Sequence, residues 1–289
     1  MKLNHTKYLV LLSFLTIISC DQFEEASNDP IPYSSDQIKY DNLVAKISFE
    51  DNVADSKGNL SDGVPTNITY VQGLKGKAYQ GADGAFIAYN SVSDKIENLK
   101  SMTVSFWINT VAHPDGAQGL YSVVKAEDGD FWGNNTVMIE SNPSSNALMP
   151  FKTFLQKNRT TPDNDIDKWI EFLGDSGLFG AYNNWTHIAW TFDGITSRYT
   201  LYVNGQNVTP EAMAILKIGT TETGIGFLNF DAVDKFVIGG FQQHLGSPWN
   251  APETWMKNYT GAMDEFRIYD ASLTATDIFR LYTFEKEGL

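Results

Sequence analysis

The sequence predicts an all-β sandwich of two antiparallel sheets with a short C-terminal helix. Three observations carry this. Apolar and polar residues alternate over many short runs, the period of a half-buried strand. Gly, Asn and Asp separate those runs, and Asn204-Gly205 is a strong hairpin signal. A helical period appears only near the C-terminus.

The alternation is clearest over 43–49, 102–108, 185–192 and 199–203, the last running into Asn204-Gly205. Further strands are expected at 84–89, 120–125, 136–140, 151–156, 235–239 and 261–269. For the helix, Thr274 stands as the cap with Asp277 three residues on, and Ile278, Leu281 and Tyr282 then share one face. The composition, 42% hydrophobic and 13% aromatic, supplies a sizeable core for one large domain.

The N-terminus has a different character. Lys2 and Lys7 precede a mostly apolar run, Tyr8 to Ile18, too short to span a bilayer. Ile17-Ile18-Ser19-Cys20 then resembles the lipobox of bacterial lipoproteins, which implies a signal peptide over 1–19 and a lipid on Cys20. Cys20 is the single cysteine, so no internal disulfide can form. Residues 20–40, rich in Asp, Glu, Ser, Asn and Pro, are expected to be a flexible acidic tether to a domain over 41–289. Asp21, Glu24 and Glu25 resemble the surface-export signals of Bacteroidetes lipoproteins, whereas the rule of enteric bacteria would keep Asp21 at the inner membrane. The expected location is the bacterial cell envelope, on the outer membrane and surface-exposed, with the lipid as the only membrane attachment. The chain carries a net charge of −14, and losing the leader removes two lysines more. So acidic a surface repels phosphate backbones, which argues against nucleic acid as a partner.

Six segments in order extend the argument. They are Phe49-Glu50-Asp51-Asn52-Val53-Ala54-Asp55-Ser56-Lys57-Gly58-Asn59, Gly73 to Tyr79, Ser101 to Ile108, Trp185-Thr186-His187-Ile188-Ala189, Leu201-Tyr202-Val203-Asn204-Gly205, and Tyr259 to Tyr269 with Leu273 to Ile278. Together they resemble laminin-G-like domains, which implies a concanavalin A-like jelly roll over nearly all of 41–289. That resemblance implies a fold more than a function, since lectins, carbohydrate-binding modules, adhesion domains and glycan-cleaving enzymes share the scaffold.

The catalytic patterns of laminarinase-like and alginate-lyase-like relatives are absent, and adjacent Asp264 and Glu265 would face opposite sides of a strand. No enzyme is therefore expected, and His187 is expected to be structural. Relatives often hold one structural Ca²⁺. The resemblance implies Asp264 as its carboxylate, with Glu50, Asp51 and the carbonyls around Gly81 and Gly84 completing an oxygen shell. The alternative is that Asp264 only accepts backbone amides at a strand crossing.

Four segments, 111–135, 141–183, 209–231 and 241–258, exceed what a minimal sandwich needs. They hold Trp132, Trp169, Tyr182, Trp249 and Trp255, with Asn134, Arg159 and His244 nearby. Flat aromatic faces and amides suit sugar rings, so these eight are the expected ligand-binding residues. The expectation is a non-catalytic carbohydrate-binding lipoprotein, part of a glycan-uptake system, whose partner is a glycan or cell-surface polysaccharide and which joins an outer-membrane protein complex. Two alternatives are an adhesion or assembly subunit that binds protein and a divergent glycan-active hydrolase or lyase. A glycan binder should show coplanar aromatics along a groove, a protein binder a broad apolar patch, and an enzyme two carboxyls in a cleft.

Overall fold

The computed structural model describes residues 32–126, 131–144, 147–156 and 167–289. Two large sheets face each other. The first runs Gln206–Asn207, Arg198–Val203, Thr186–Asp193, Met102–Asn109, Ala262–Tyr269, Lys77–Gln80, Thr69–Gln72, and Leu43–Ile47 also pairs with Ala262–Tyr269. The second runs Lys168–Phe172, Phe151–Leu155, Asn135–Ile139, Ala117–Lys125, Val233–Ile238, Phe86–Val92, Leu60–Thr66. Its pairs are antiparallel except for Met256–Asn258, which lies parallel to Ala117–Lys125. This is the predicted jelly-roll sandwich. Pro65 sits in the edge strand Leu60–Thr66, where its missing N–H costs no ladder bond.

Alternation decides what fills the space between the sheets. Val104, Phe106 and Ile108 point inward from one strand and Ile188, Trp190 and Phe192 from its neighbour. Phe106, Tyr121, Phe236 and Phe266 form the aromatic centre, with ring centroids 5.4–6.3 Å apart in stacked and edge-on pairs. Polar tips buried there are paired. Trp190 Nε1 donates to Tyr121 Oη at 3.1 Å, Tyr121 Oη to Asn135 Oδ1 at 2.8 Å, and Thr153 Oγ1 lies 2.8 Å from Tyr199 Oη.

The motif residues turn out to be braces. Asp55 accepts main-chain N–H bonds from Lys46, Lys57, Asn59 and Leu60, which fixes the turn after the first strand. Asn204 and Gly205 both have positive φ, 49° and 76°, as their tight hairpin turn requires. Asn204 Oδ1 also accepts the His187 N–H at 3.0 Å.

The helix Ala275–Lys286 covers the outer face of the first sheet and buries Ile278 and Leu281 against Ala189, Tyr202 and Tyr269. Thr274 caps it: its hydroxyl accepts the Asp277 N–H at 3.1 Å. Thr274→Ala should cost about 1 kcal/mol, read as a lower urea midpoint with an unchanged slope.

Beneath that helix lies a buried charge cluster. Arg267 donates to Glu285 at 2.7 Å, to Glu265 at 2.7 Å and to Asp36 at 2.8 Å, and Trp107 Nε1 donates to Glu285 at 2.7 Å. Trp107 is thus buried under the helix, stacked on Tyr282, rather than inside the sandwich. Burial alone would raise the Asp36 carboxyl, but bonds to Lys46 and Arg267 outweigh it and bring it down to about 2. The folded body therefore begins before residue 41. Ser35 and Ile38 are buried, and the Ser35 N–H and hydroxyl both donate to the Leu289 carbonyl, at 3.2 and 2.8 Å.

Candidate functional site

The outer face of the second sheet is concave between Ala117–Lys125 and Lys168–Phe172. Along Phe151–Leu155, residues 151, 153 and 155 point into the core, so Lys152 and Phe154 point outward. Register then does the assembly. Lys152 lies opposite Glu171 on one side and Met138 on the other, and Phe154 lies opposite Trp169. Two tryptophans arrive from outside the sheet. Trp132 comes from the segment entering Asn135–Ile139. Trp255 comes from the segment entering Met256–Asn258, whose carbonyl accepts the Ala117 N–H at 2.9 Å. That close approach needs Gly116: its φ is 122°, and a Cβ there would lie 2.3 Å from the Trp255 oxygen.

The result is a cleft of about 410 Å³, walled by Trp132, Trp169 and Trp255 and floored by Lys152, Glu140 and Glu171. All three tryptophans are half-buried. Their rings are not coplanar. Trp132 meets Trp169 edge-on at 84° and 4.7 Å and is tilted 44° to Trp255 at 5.8 Å. They form an angled wall rather than a flat platform, with Phe131 and Phe154 packed behind Trp132.

Lys152 Nζ lies 2.7 Å from Glu140 and 2.8 Å from Glu171, so the two carboxylate oxygens are within about 5.5 Å, a spacing glycosidases use for their carboxyl pair. Such a pair needs one carboxyl to hold a proton. Here the Lys152 ammonium stands between them and pairs with both. Burial lowers the Lys152 pKa, but bonds to Glu140 and Glu171 outweigh this and hold it above its ordinary value.

Of the eight expected ligand residues, Trp132, Trp169 and Trp255 come together here. Four others lie away from this cleft, each engaged within the protein. Trp249 is 6% exposed, packs on Val124 and Val237, and donates its indole N–H to the Lys125 carbonyl at 2.9 Å. Tyr182 is buried in the main core beside Asn142. Both polar atoms of the Asn134 amide are used by the main chain of Asp231, at 2.8 and 2.9 Å. His244 Nδ1 accepts the Phe241 N–H at 3.0 Å, its ring stacks on Phe241, and burial lowers its pKa. Arg159 and Cys20 lie outside the described residues. Sequence reasoning missed Glu140, Lys152 and Glu171. The alternation of Phe151–Leu155 placed Lys152 outward, but nothing local revealed its partners.

His187 is fully buried, with Nε2 2.7 Å from Ser105 Oγ, and burial, aided by Arg267, lowers its pKa to about 3. It is a neutral brace between the sheet and the helix above it.

The residues expected around calcium are divided. Asp264 accepts the Lys75 N–H at 3.1 Å and the Glu265 N–H at 2.8 Å. Glu50 accepts the Lys77 N–H at 3.0 Å, so the two carboxylates clamp one turn, 73–77. Gly81 is pressed against the Tyr259 carbonyl, Gly84 lies between Asn67 and Asn258, and exposed Asp51 lies near Tyr70. Among the described residues no three acidic or His side chains cluster as metal ligands.

Burial pushes Asp264 up to about 7, with Glu265 adding to the rise and the amide bonds opposing it. A folded pKa above the unfolded one means that the group favours folding most below about pH 4. That contribution is lost as pH rises through 7. Asp264→Asn should remove this slope. The wild type minus variant difference in unfolding free energy should fall between pH 4.5 and pH 8 in urea titrations, and a flat difference would exclude the buried-acid account.

With fold and cleft defined, comparison with known proteins places the chain. The family model described as "Concanavalin A-like lectin/glucanases superfamily" (Laminin_G_3) matches residues 83–279. The chain belongs to this superfamily. No curated protein is matched. Among solved structures, the binding domain of botulinum neurotoxin serotype G is similar, with 16% identity and a TM-score of 0.56 over 84% of this chain and 51% of that one. The binding domain of botulinum neurotoxin DC in complex with rat synaptotagmin II gives 16% and 0.54, over 85% and 52%. The same domain in complex with SialylT gives 14% and 0.52, also over 85% and 52%. The chain spans about half the length of these binding domains, and at such identities the likeness is one of fold. The concanavalin A-like match begins at residue 83, so it takes in every strand that floors the cleft.

Proposed function

We propose that this domain binds a carbohydrate in the cleft of Trp132, Trp169 and Trp255, without cleaving it, and is held to the outer membrane of a bacterium by a lipid on Cys20. The observation that carries the reading is the pairing of half-buried indole faces with a fixed polar floor in one concavity. Indole faces cover the C–H side of a sugar ring, and the carboxylates accept from its hydroxyls. The lipobox-like Ile17 to Cys20 and the acidic residues after it support the envelope location and a place in glycan uptake.

A glycan array probed with residues 32–289, with calcium and with EDTA, tests the reading. A specific hit that Trp169→Ala and Trp255→Ala both abolish is expected. Loss in EDTA would bring a cation into the site. Turnover of the bound glycan, abolished by Glu140→Gln or Glu171→Gln, would replace binding by catalysis. An empty array from folded protein would favour a protein partner. The fold admits either, since the neurotoxin DC domain was solved with rat synaptotagmin II and with SialylT.

A further inference from the structure

The floor of the cleft has a definite charge logic. Lys152 is the only cation among the described residues lining it, and that cation is already engaged. Its ammonium touches Glu140 at 2.7 Å and Glu171 at 2.8 Å, and the Trp169 ring centroid lies 5.6 Å away. An ammonium has three N–H donors and no acceptor. Two of them go to carboxylates, and the Trp169 ring lies further off on another side. Each carboxylate, by contrast, has several acceptor positions and gives only one to Lys152. A ligand resting on this floor therefore meets acceptors, in a site of net charge −1, on a strongly acidic protein.

We infer that the cleft selects uncharged, hydroxyl-donating glycans and rejects those bearing uronate, sulfate or sialate groups. The inference rests on the carbohydrate reading above and specifies it. A sugar carboxylate would face Glu140 and Glu171, and the one cation among the described residues lining the cleft already sits between those two; like charges brought together in a partly desolvated cleft repel. A neutral sugar hydroxyl can donate to either glutamate while its ring lies against an indole.

The test is a set of binding isotherms on chain-matched pairs: cellohexaose against hexaglucuronate, mannohexaose against hexamannuronate, and galactohexaose against hexagalacturonate. At low salt the neutral member of the best-bound pair should bind at least tenfold more tightly than its uronate, and the gap should narrow as salt rises. Glu171→Lys, at a half-exposed position, should raise uronate binding at least tenfold over wild type; Glu171→Gln should do so less. Wild type binding a uronate as well as or better than its neutral partner would overturn the selection and leave the carbohydrate reading standing. Glu171→Lys that folds and binds neutral glycan yet gains nothing towards uronates would overturn the role of the floor. If folded wild type binds neither member of any pair and the array is also blank, the carbohydrate reading itself falls, and the selection with it.

Discussion

Arg267→Met is expected to destabilise the domain by about 3–5 kcal/mol near neutral pH, the usual cost of removing one partner from a buried ion cluster. Arg267 is fully buried and meets three carboxylates, those of Glu265, Glu285 and Asp36. Methionine fills much of the space but returns no charge. Glu285, 1% exposed and already raised to about 7 by burial, would lose the guanidinium that opposes that rise, while Glu265 would keep only Lys46 at 3.7 Å. The penalty should shrink in acid. Without Arg267 the Glu285 folded pKa moves further above its unfolded one, so the charge penalty is absent below the unfolded pKa and grows as pH rises. Urea unfolding at pH 7.5 and pH 5 checks this: equal losses at both would mean that lost packing, not stranded charge, is the cause. Adding Glu285→Gln to Arg267→Met should recover part of the loss, because one stranded anion is removed.

Trp132→Ala and Trp249→Ala should separate cleanly, though both are loop-borne tryptophans. Trp132 is the hinge of the aromatic wall, within 6.0 Å of Phe131, Phe154, Trp169 and Trp255. Its removal should weaken glycan binding roughly 30- to 1000-fold, the range for a central aromatic anchor. Its half-exposed ring should cost less stability than a core tryptophan. Trp249→Ala has the opposite profile. It empties a packed site and removes the indole bond to the Lys125 carbonyl, for a loss of about 3–5 kcal/mol. Where that variant still folds, its affinity should match wild type. Calorimetric titration and thermal melts on both variants decide the matter, and a Trp249→Ala protein that is stable but fails to bind would move the site.

The sandwich itself was legible because its strands repeat with period two and its turns carry their own chemistry, as at Asn204-Gly205. The strands that escaped were those whose pattern is short or broken. Lys168–Phe172 offers only Ile170 and Phe172 as inward residues and was subsumed in the long segment 141–183. Leu60–Thr66 is an edge strand that exposes Ser61, Asp62 and Pro65. The site was half legible for a related reason. A tryptophan in a loop is visible in sequence, but what covers it is not. Trp255 and Trp249 have similar surroundings along the chain, and only the pairing of Ala117 with Trp255 sends one to the cleft. Glu140 and Glu171 belong together solely through the register of three strands.

The described body has two distinct outer faces. Residues 32–38 join the body under the C-terminal helix, on the outer face of the first sheet, where Ser35 also holds the last residue, Leu289. The cleft opens on the outer face of the second sheet. Residues 32–38 and the cleft therefore lie on opposite outer faces of the sandwich. Force applied between the cleft and residue 32 would travel through both stacked sheets and reach Asp36 and Arg267. The charges that brace the helix are thus also the coupling that carries the load. In single-molecule pulling from the N-terminus, release of residues 32–38 should come as a short first extension, at lower force in Asp36→Asn.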